Sequence, residues 1–254
     1  MFKKLFITLK SFVNIILNRK IKYIGNYDNW NKALKISNGY SSHKVIQKKK
    51  SSILKILNGE ASYEIDSFLY YKSNPDQILI EILNKFKKKI TVCDFGGSFG
   101  SHYIRNRKYL ESKNIQWKVV EQKPIVKVAK KLKIGKNLNF YTQIQQVIKY
   151  KVDIILFSSV LQYIEFPYKI LDKVIKKKIN YILILRTPFH QMPDQIRIQK
   201  IPKYIYEATY PVRILNYSFF LQYMKKNNYK IVKKINTQEM IDNIKYKGFL
   251  FKKM

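Results

Sequence analysis

Two periodicities divide this chain near residue 90. Before it, apolar residues recur at helical spacing. One such stretch is Phe2, Leu5, Phe6, Leu9, Phe12, Val13, Ile16 and Leu17; another runs from Ile53 to Leu57, ahead of Gly59. A third lies near Asp76 to Phe86, where Ile78, Leu79, Ile82 and Leu83 make one apolar face. Residues 21–90 are therefore expected to be mostly helical, with a polar, aromatic segment at Tyr27-Asp28-Asn29-Trp30. From residue 90 onward, short apolar runs alternate with helical or polar segments. Ile90–Phe95, Trp117–Val120, Leu138–Tyr141, Asp153–Phe157 and Tyr181–Leu185 read as strands. Their unbroken apolar character suits strands covered on both faces, as in a parallel sheet. Helices are predicted between them at Ser101–Lys113, Ile125–Leu132, Ile144–Tyr150 and Pro167–Lys177. After an irregular stretch, 186–215, a helix is expected at Tyr217–Met224. Lys230–Ile235 and Lys245–Lys252 then supply a late antiparallel pair. The pattern predicts an α/β, Rossmann-like sheet of five parallel strands plus that pair over residues 89–254, and an N-terminal helical extension over residues 1–88.

Composition changes this picture only in part. At 254 residues the chain is long enough to bury a full core, and 46% hydrophobic with 15% aromatic content argues against a disordered chain. Fifty Lys and Arg against 16 Asp and Glu give a net charge of +34, which on its face suggests a nucleic-acid partner. Nearly all the cations are Lys, however; Arg stands only at 19, 105, 107, 186, 197 and 213. Ile, Asn, Tyr and Phe are abundant and Gly and Pro scarce, as in an A/T-rich genome that fills solvated positions with Lys. A nucleic-acid partner is thus possible and not favoured. Cys93 is the single cysteine, so an intramolecular disulfide or Cys-based zinc site is excluded, and a reducing, cytoplasmic setting is expected. No cluster has metal-ligand spacing, and no metal is predicted. In residues 1–20, Lys10 and Asn14 interrupt the apolar run, which is too short and polar to span a bilayer. Two readings stay open there: a helix packed on the domain, or a basic amphipathic helix in peripheral contact with the inner face of a membrane.

The most informative segment is Thr91-Val92-Cys93-Asp94-Phe95-Gly96-Gly97-Ser98-Phe99-Gly100-Ser101. An apolar strand ends in an acid, and a Gly-rich turn leads into a helix. A dinucleotide fingerprint would be G-x-G-x-x-G. Gly97 and Gly100 fit its last two positions, but Phe95 occupies the first. Acid-x-G-x-x-x-G does fit, read as Asp94, Gly96 and Gly100. That arrangement suits S-adenosylmethionine, whose ammonium an anionic Asp94 would favour and whose methionine portion the loop backbone, with Gly97 and Ser98, would accommodate. Alone, the segment is also compatible with a tight strand–helix turn. Glu121-Gln122, at the end of the next strand, supplies the carboxylate that accepts ribose hydroxyls in such sheets; an ordinary surface acid is the other reading. Ser158 and Ser159 open from the end of a buried strand, either lining the pocket near the sulfonium or capping the next helix.

These segments resemble the class I methyltransferases. More narrowly, DFGGSFGSHY (94–103), VVEQ (119–122), SSVLQY (158–163), RTPF (186–189) and IYEATYP (205–211) resemble a bacterial methyltransferase family. Weaker matches are the Trp30 segment and Tyr63-Glu64-Ile65-Asp66-Ser67. The resemblance implies a class I fold, S-adenosylmethionine as cofactor, and, through association of the family with surface-polysaccharide biosynthesis, O-methylation of a sugar. The chain departs from the family pattern at Ile65, where an Arg often precedes the acid, and at Leu185, where an Asp often precedes the Arg.

Methyl transfer needs positioning and a route for the acceptor's proton. His190, shortly after the fifth strand, is the candidate base; an exposed loop histidine is the alternative. His102 begins the helix after the Gly-rich loop, where it suits a cofactor contact or a structural role. Arg186 has the planar fork that suits a carboxylate or phosphate on the acceptor, or an internal salt bridge. In the Tyr-rich stretch 201–211, Glu207 can bind acceptor hydroxyls or act as base, or the stretch is simple loop packing. The expected partner is a small-molecule or glycan acceptor.

Overall fold

The computed structural model of the protein describes residues 21–39, 43–87, 89–205 and 207–254, so the helix expected within 1–20 lies outside the described residues. The chain opens with strand β1 (Lys22–Tyr27) and helices α1 (Trp30–Lys35) and α2 (His43–Leu57). A short hairpin, β2 (Tyr63–Ile65) and β3 (Phe68–Tyr70), precedes helix α3 (Gln77–Leu83). Three strands therefore stand where mostly helix was expected. Asn29 starts α1 by accepting Lys32 N–H at 3.0 Å, and Asp76 starts α3 by accepting Leu79 N–H at 3.1 Å, each side chain satisfying an orphan donor of the first turn.

Beyond residue 90 the elements follow the predicted order: β4 (Thr91–Phe95), α4 (Ser101–Arg105), α5 (Arg107–Ser112), β5 (Gln116–Val120), α6 (Lys123–Leu132), β6 (Leu138–Tyr141), α7 (Gln145–Ile148), β7 (Ile154–Ser158), α8 (Pro167–Lys176) and β8 (Tyr181–His190). Then come β9 (Gln195–Ile201), β10 (Ala208–Asn216), α9 (Tyr217–Lys226), β11 (Tyr229–Ile241) and β12 (Ile244–Lys253). Strands β6, β5, β4, β7 and β8 run parallel in that spatial order, and β12 and then β11 close the sheet antiparallel. Asp242 and Asn243, both at positive φ, make the two-residue turn between β11 and β12, as primed hairpin turns require.

The sheet has a core on each face. Ile53, Leu79, Phe99, Tyr103 and Trp117 pack on the face covered by α2 to α6, while Phe157, Leu171, Phe220 and Met224 pack on the face covered by α7 to α9. Burial on both sides accounts for the unbroken apolar runs that revealed these strands.

The stretch 186–215 is not irregular. Strand β8 runs five residues past the parallel region, and at Arg186 (φ 48°) it exchanges one neighbour for another. Residues 154–158 of β7 pair with 181–185 of β8, and beyond that point Phe189 and His190 pair with Leu215 and Asn216 of β10. Strand β10 carries β9 antiparallel, and β1 joins the outer edge of β9. Residues 22–27 are thus woven into a layer built mainly from residues 187–216, and α1 packs Trp30 and Ala33 against Ile196 and Ile198 of it.

Candidate functional site

The parallel strands end at a cavity of about 770 Å³. Its position, beyond the carboxyl ends of β4 and β7 where the strand order reverses, is where ligands bind in open α/β sheets. The floor is the turn from β4 to α4. Gly96 (φ 75°) lies against Val160, whose Cγ2 would stand 2.3 Å from any Cβ added there, and Gly97 lies against the Asp94 carboxylate, 2.4 Å from an added Cβ. Backbone is therefore all that fits between these groups and the cavity. Gly100 has a different task. Its φ of 85° and its N–H to Gly97 C=O at 2.8 Å shape the turn into α4, and it packs on Leu138 rather than on the cavity.

Asp94 is fully buried yet lines the cavity. Its Oδ2 accepts the Trp117 indole N–H at 3.0 Å, while Oδ1 has no partner among the described residues. Burial pushes its carboxyl up to about 7; the indole opposes the shift and nearby Glu121 adds to it. Glu121 accepts backbone N–H groups from Ser98 at 3.1 Å and Gln122 at 2.8 Å, and burial raises its pKa against those two bonds. Lys49 of α2, 6% exposed, reaches Ser98 Oγ at 3.2 Å. Ser158 and Ser159 line the cavity. Neither caps a helix: Val160 starts the short turn at 161–163 without a side-chain bond, and Ser159 Oγ instead accepts from Gln162 Nε2 at 3.1 Å.

On the other side of the cavity Arg186 is held by two carboxylates. Its Nε and Nη2 donate to Glu239 at 2.8 and 3.0 Å, and Nη2 donates to Asp66 at 2.9 Å. Burial alone would lower its pKa, but Asp66 and Glu239 hold it well above the usual value. Asp66, which burial would raise, is held below the carboxylate range by Arg186 and Lys49. The Nε and Nη2 edge of the fork is thus engaged by the protein in an internal salt bridge, the second of the two expected readings. Beside it, His102 lines the cavity, its pKa pushed down to about 4 by burial and by Arg186 and Arg105 against Asp76 and Asp66. Glu64 is 4% exposed and accepts from Ser67 N–H at 2.7 Å and from the Ser101 hydroxyl. Trp30, Leu34, Tyr163 and Tyr210 form the facing apolar wall.

Eight of the nine expected cofactor residues line the cavity: Asp94, Gly96, Gly97, Ser98, Glu121, Gln122, Ser158 and Ser159. Two expected catalytic residues do not. His190 ends β8 beside Asp194 and Arg197, half-buried, its Nε2 without a partner among the described residues. It lies past the point where β8 leaves the central sheet, which carries its side chain away from the cavity lining. Glu207 is exposed in the β9–β10 connection and also outside that lining. Sequence reasoning missed Lys49, Glu64, Asp66 and Asp76. The YEIDS segment was a usable signal for two of them; Lys49 had none among so many lysines.

No family model matches the chain, and no curated protein matches it in sequence. Solved structures do. The chain is similar to magnesium protoporphyrin IX methyltransferase from Synechocystis PCC 6803 with bound SAM, at 12% identity over 85% of this chain and 87% of that one, TM-score 0.50. It is similar to the glycopeptide N-methyltransferase MtfA, at 9% identity over 73% and 96%, TM-score 0.52. It is also similar to the 1,6-didemethyltoxoflavin-N1-methyltransferase of Burkholderia thailandensis, at 10% identity over 92% and 95%, TM-score 0.50. At such identities the likeness shows the fold, and the fold is the Rossmann-like one of class I methyltransferases.

Proposed function

We propose that the chain is an S-adenosylmethionine-dependent methyltransferase acting on a hydroxyl of a small neutral acceptor, a sugar in the reading its surface-polysaccharide family resemblance favours. The observation that carries the cofactor is Asp94. A carboxylate buried to 0% exposure, with one oxygen unpartnered and facing a glycine cradle, needs a cation to complete it. The cofactor's ammonium is such a cation. Glu121 suits the ribose hydroxyls, and Gln122, Thr142 and Ile144 flank the space left for adenine. The backbone at Gly96 and Gly97 and the Ser158-Ser159 segment meet the methionine portion.

When bound, S-adenosylmethionine supplies an electrophilic methyl group on a sulfonium. What the chain's own residues contribute is position and a path for the proton. Trp30, Tyr163 and Tyr210 offer faces on which a sugar ring can stack, opposite Asp66 and His102. His102, in the lining where His190 is not, is neutral at physiological pH and can accept a hydrogen bond that orients the acceptor hydroxyl.

The charge of the cavity favours a neutral acceptor over nucleic acid. Of only 16 acidic residues in the chain, five line this one cavity: Glu64, Asp66, Asp76, Asp94 and Glu121. Of the 50 cationic ones, Lys49, Arg105, Lys173 and Arg186 do so among the described residues. Such a lining is near charge balance in a chain of +34, so it lacks the excess of cations that a polyanion needs and suits a neutral acceptor. Calorimetry with S-adenosylhomocysteine is expected to show 1:1 binding that Asp94→Ala abolishes. Silence with that ligand, together with a signal from NADH, would overturn the assignment.

A further inference from the structure

A cavity that gathers five carboxyl groups leaves one part of such a cofactor in need of a partner. Its α-carboxylate would enter a space lined by Asp94, Glu121, Glu64 and Asp66, and an unpaired anion there carries a heavy desolvation and repulsion cost. Something cationic must meet it. Arg186 already directs Nε and Nη2 to the carboxylates of Asp66 and Glu239. Arg105 donates to Asn74 C=O at 2.7 Å, lies 3.9 Å from Asp76 and covers the Tyr63 ring. Lys173 is carried by α8, on the opposite face of the sheet from α2.

Lys49 meets the requirement. It belongs to α2, outside the sheet, yet it is 6% exposed, lines the cavity and donates to Ser98 Oγ at 3.2 Å. Ser98 (φ 54°) is itself part of the Gly96–Gly100 turn, and its N–H is bound to Glu121. The ammonium is therefore held at the rim of the loop, between the acid assigned to ribose and the Asp66 side of the cavity, where it interacts with both carboxylates. A buried lysine on a flexible stem can turn from a hydroxyl to a carboxylate with little movement.

We propose that Lys49 receives the α-carboxylate of the cofactor's methionine end, so that α2 is a clamp on the cofactor as well as part of the fold; this rests on the cofactor reading above. The test compares S-adenosylhomocysteine with 5′-methylthioadenosine, which keeps the adenosine and sulfur but lacks the amino-acid end. By calorimetry, Lys49→Met is expected to weaken S-adenosylhomocysteine about ten- to hundredfold, as loss of a charge-assisted bond does, and to leave 5′-methylthioadenosine unchanged. Lys49→Arg, which keeps the charge, should recover most of the loss. Equal weakening of both ligands would mean that Lys49 only shapes the loop through Ser98, and an unchanged S-adenosylhomocysteine affinity would mean no contact; either result overturns the proposal. Binding of neither ligand by the wild-type protein would overturn the cofactor reading itself.

Discussion

A carboxyl with no room to ionise alone is the key residue of this molecule. Asp94 has its folded pKa raised from 3.8 to about 7, so the folded chain holds that proton more tightly than the unfolded chain does. The associated stability is fully present below pH ~4, declines as the unfolded carboxyl ionises, and is lost once pH passes about 7. Asp94→Asn is accordingly expected to resist urea better than wild type at pH 8, by on the order of 3 kcal/mol, with the two converging near pH 4; equal midpoints at pH 8 would contradict the burial argument. The same proton competes with the ligand's ammonium. Affinity for S-adenosylhomocysteine should fall several-fold from pH 7 to pH 6 and approach tenfold per pH unit below that, read by calorimetry. At this scale the sequence was legible where a residue type was rare. Asp94 and Glu121 stood out among few acids, whereas Lys49 was hidden among lysines that only packing distinguishes.

Elements were legible in proportion to their burial. The five parallel strands, covered on both faces, announced themselves as apolar runs and fell within a few residues of expectation. The helix expected over 101–113 is two pieces, because Asn106 turns its side chain back to His102 C=O and also accepts the Asp76 N–H. Strands β1, β9 and β10 were missed for physical reasons. Polar residues interrupt β9, and Pro211 stands inside β10, opposite Ile198. The β2–β3 hairpin, also missed, is tied to the rest through Glu64 and through the ion pair from Asp66 to Arg186. Non-glycine residues at positive φ gather here: Asp66, Ser98, Ser159 and Arg186 all line the cavity, whereas Asn114, Lys133, Lys178 and Asn228 follow helices. Arg186→Met should free the hairpin without unfolding the sheet. Amide exchange over residues 63–70 is expected to quicken about tenfold, with β4 and β5 unchanged; uniform acceleration would show that the pair stabilises the whole fold instead.

For the whole molecule the question is what a charge of +34 does. The cavity, with five carboxyls against four cations, does not share the positive excess of the rest of the protein, so the surface lysines and the site address different things. Contact with heparin or RNA is expected to be sequence-independent and to weaken by orders of magnitude between 50 and 200 mM salt. It should leave S-adenosylhomocysteine affinity unaltered. Competition between heparin and that ligand would place the polyanion in the site and revive a nucleic-acid acceptor. No helix among the described residues is long and apolar enough to cross a membrane.

Strand β8 has a further consequence, for descent and for engineering. One unbroken stretch of backbone serves first as a rail of the cofactor sheet and then, past Arg186, as the anchor for β10, β9 and β1. The layer that forms much of the acceptor wall therefore hangs from the far half of a single strand, its main segment joined near residues 186 and 216 and its outer edge completed by β1. Such a layer can be exchanged or remodelled while the glycine cradle stays untouched. New acceptors are thus reachable by exchanging residues 187–216 together with the β1 and α1 segments that pack on them, without rebuilding the half of the protein that holds the methyl donor.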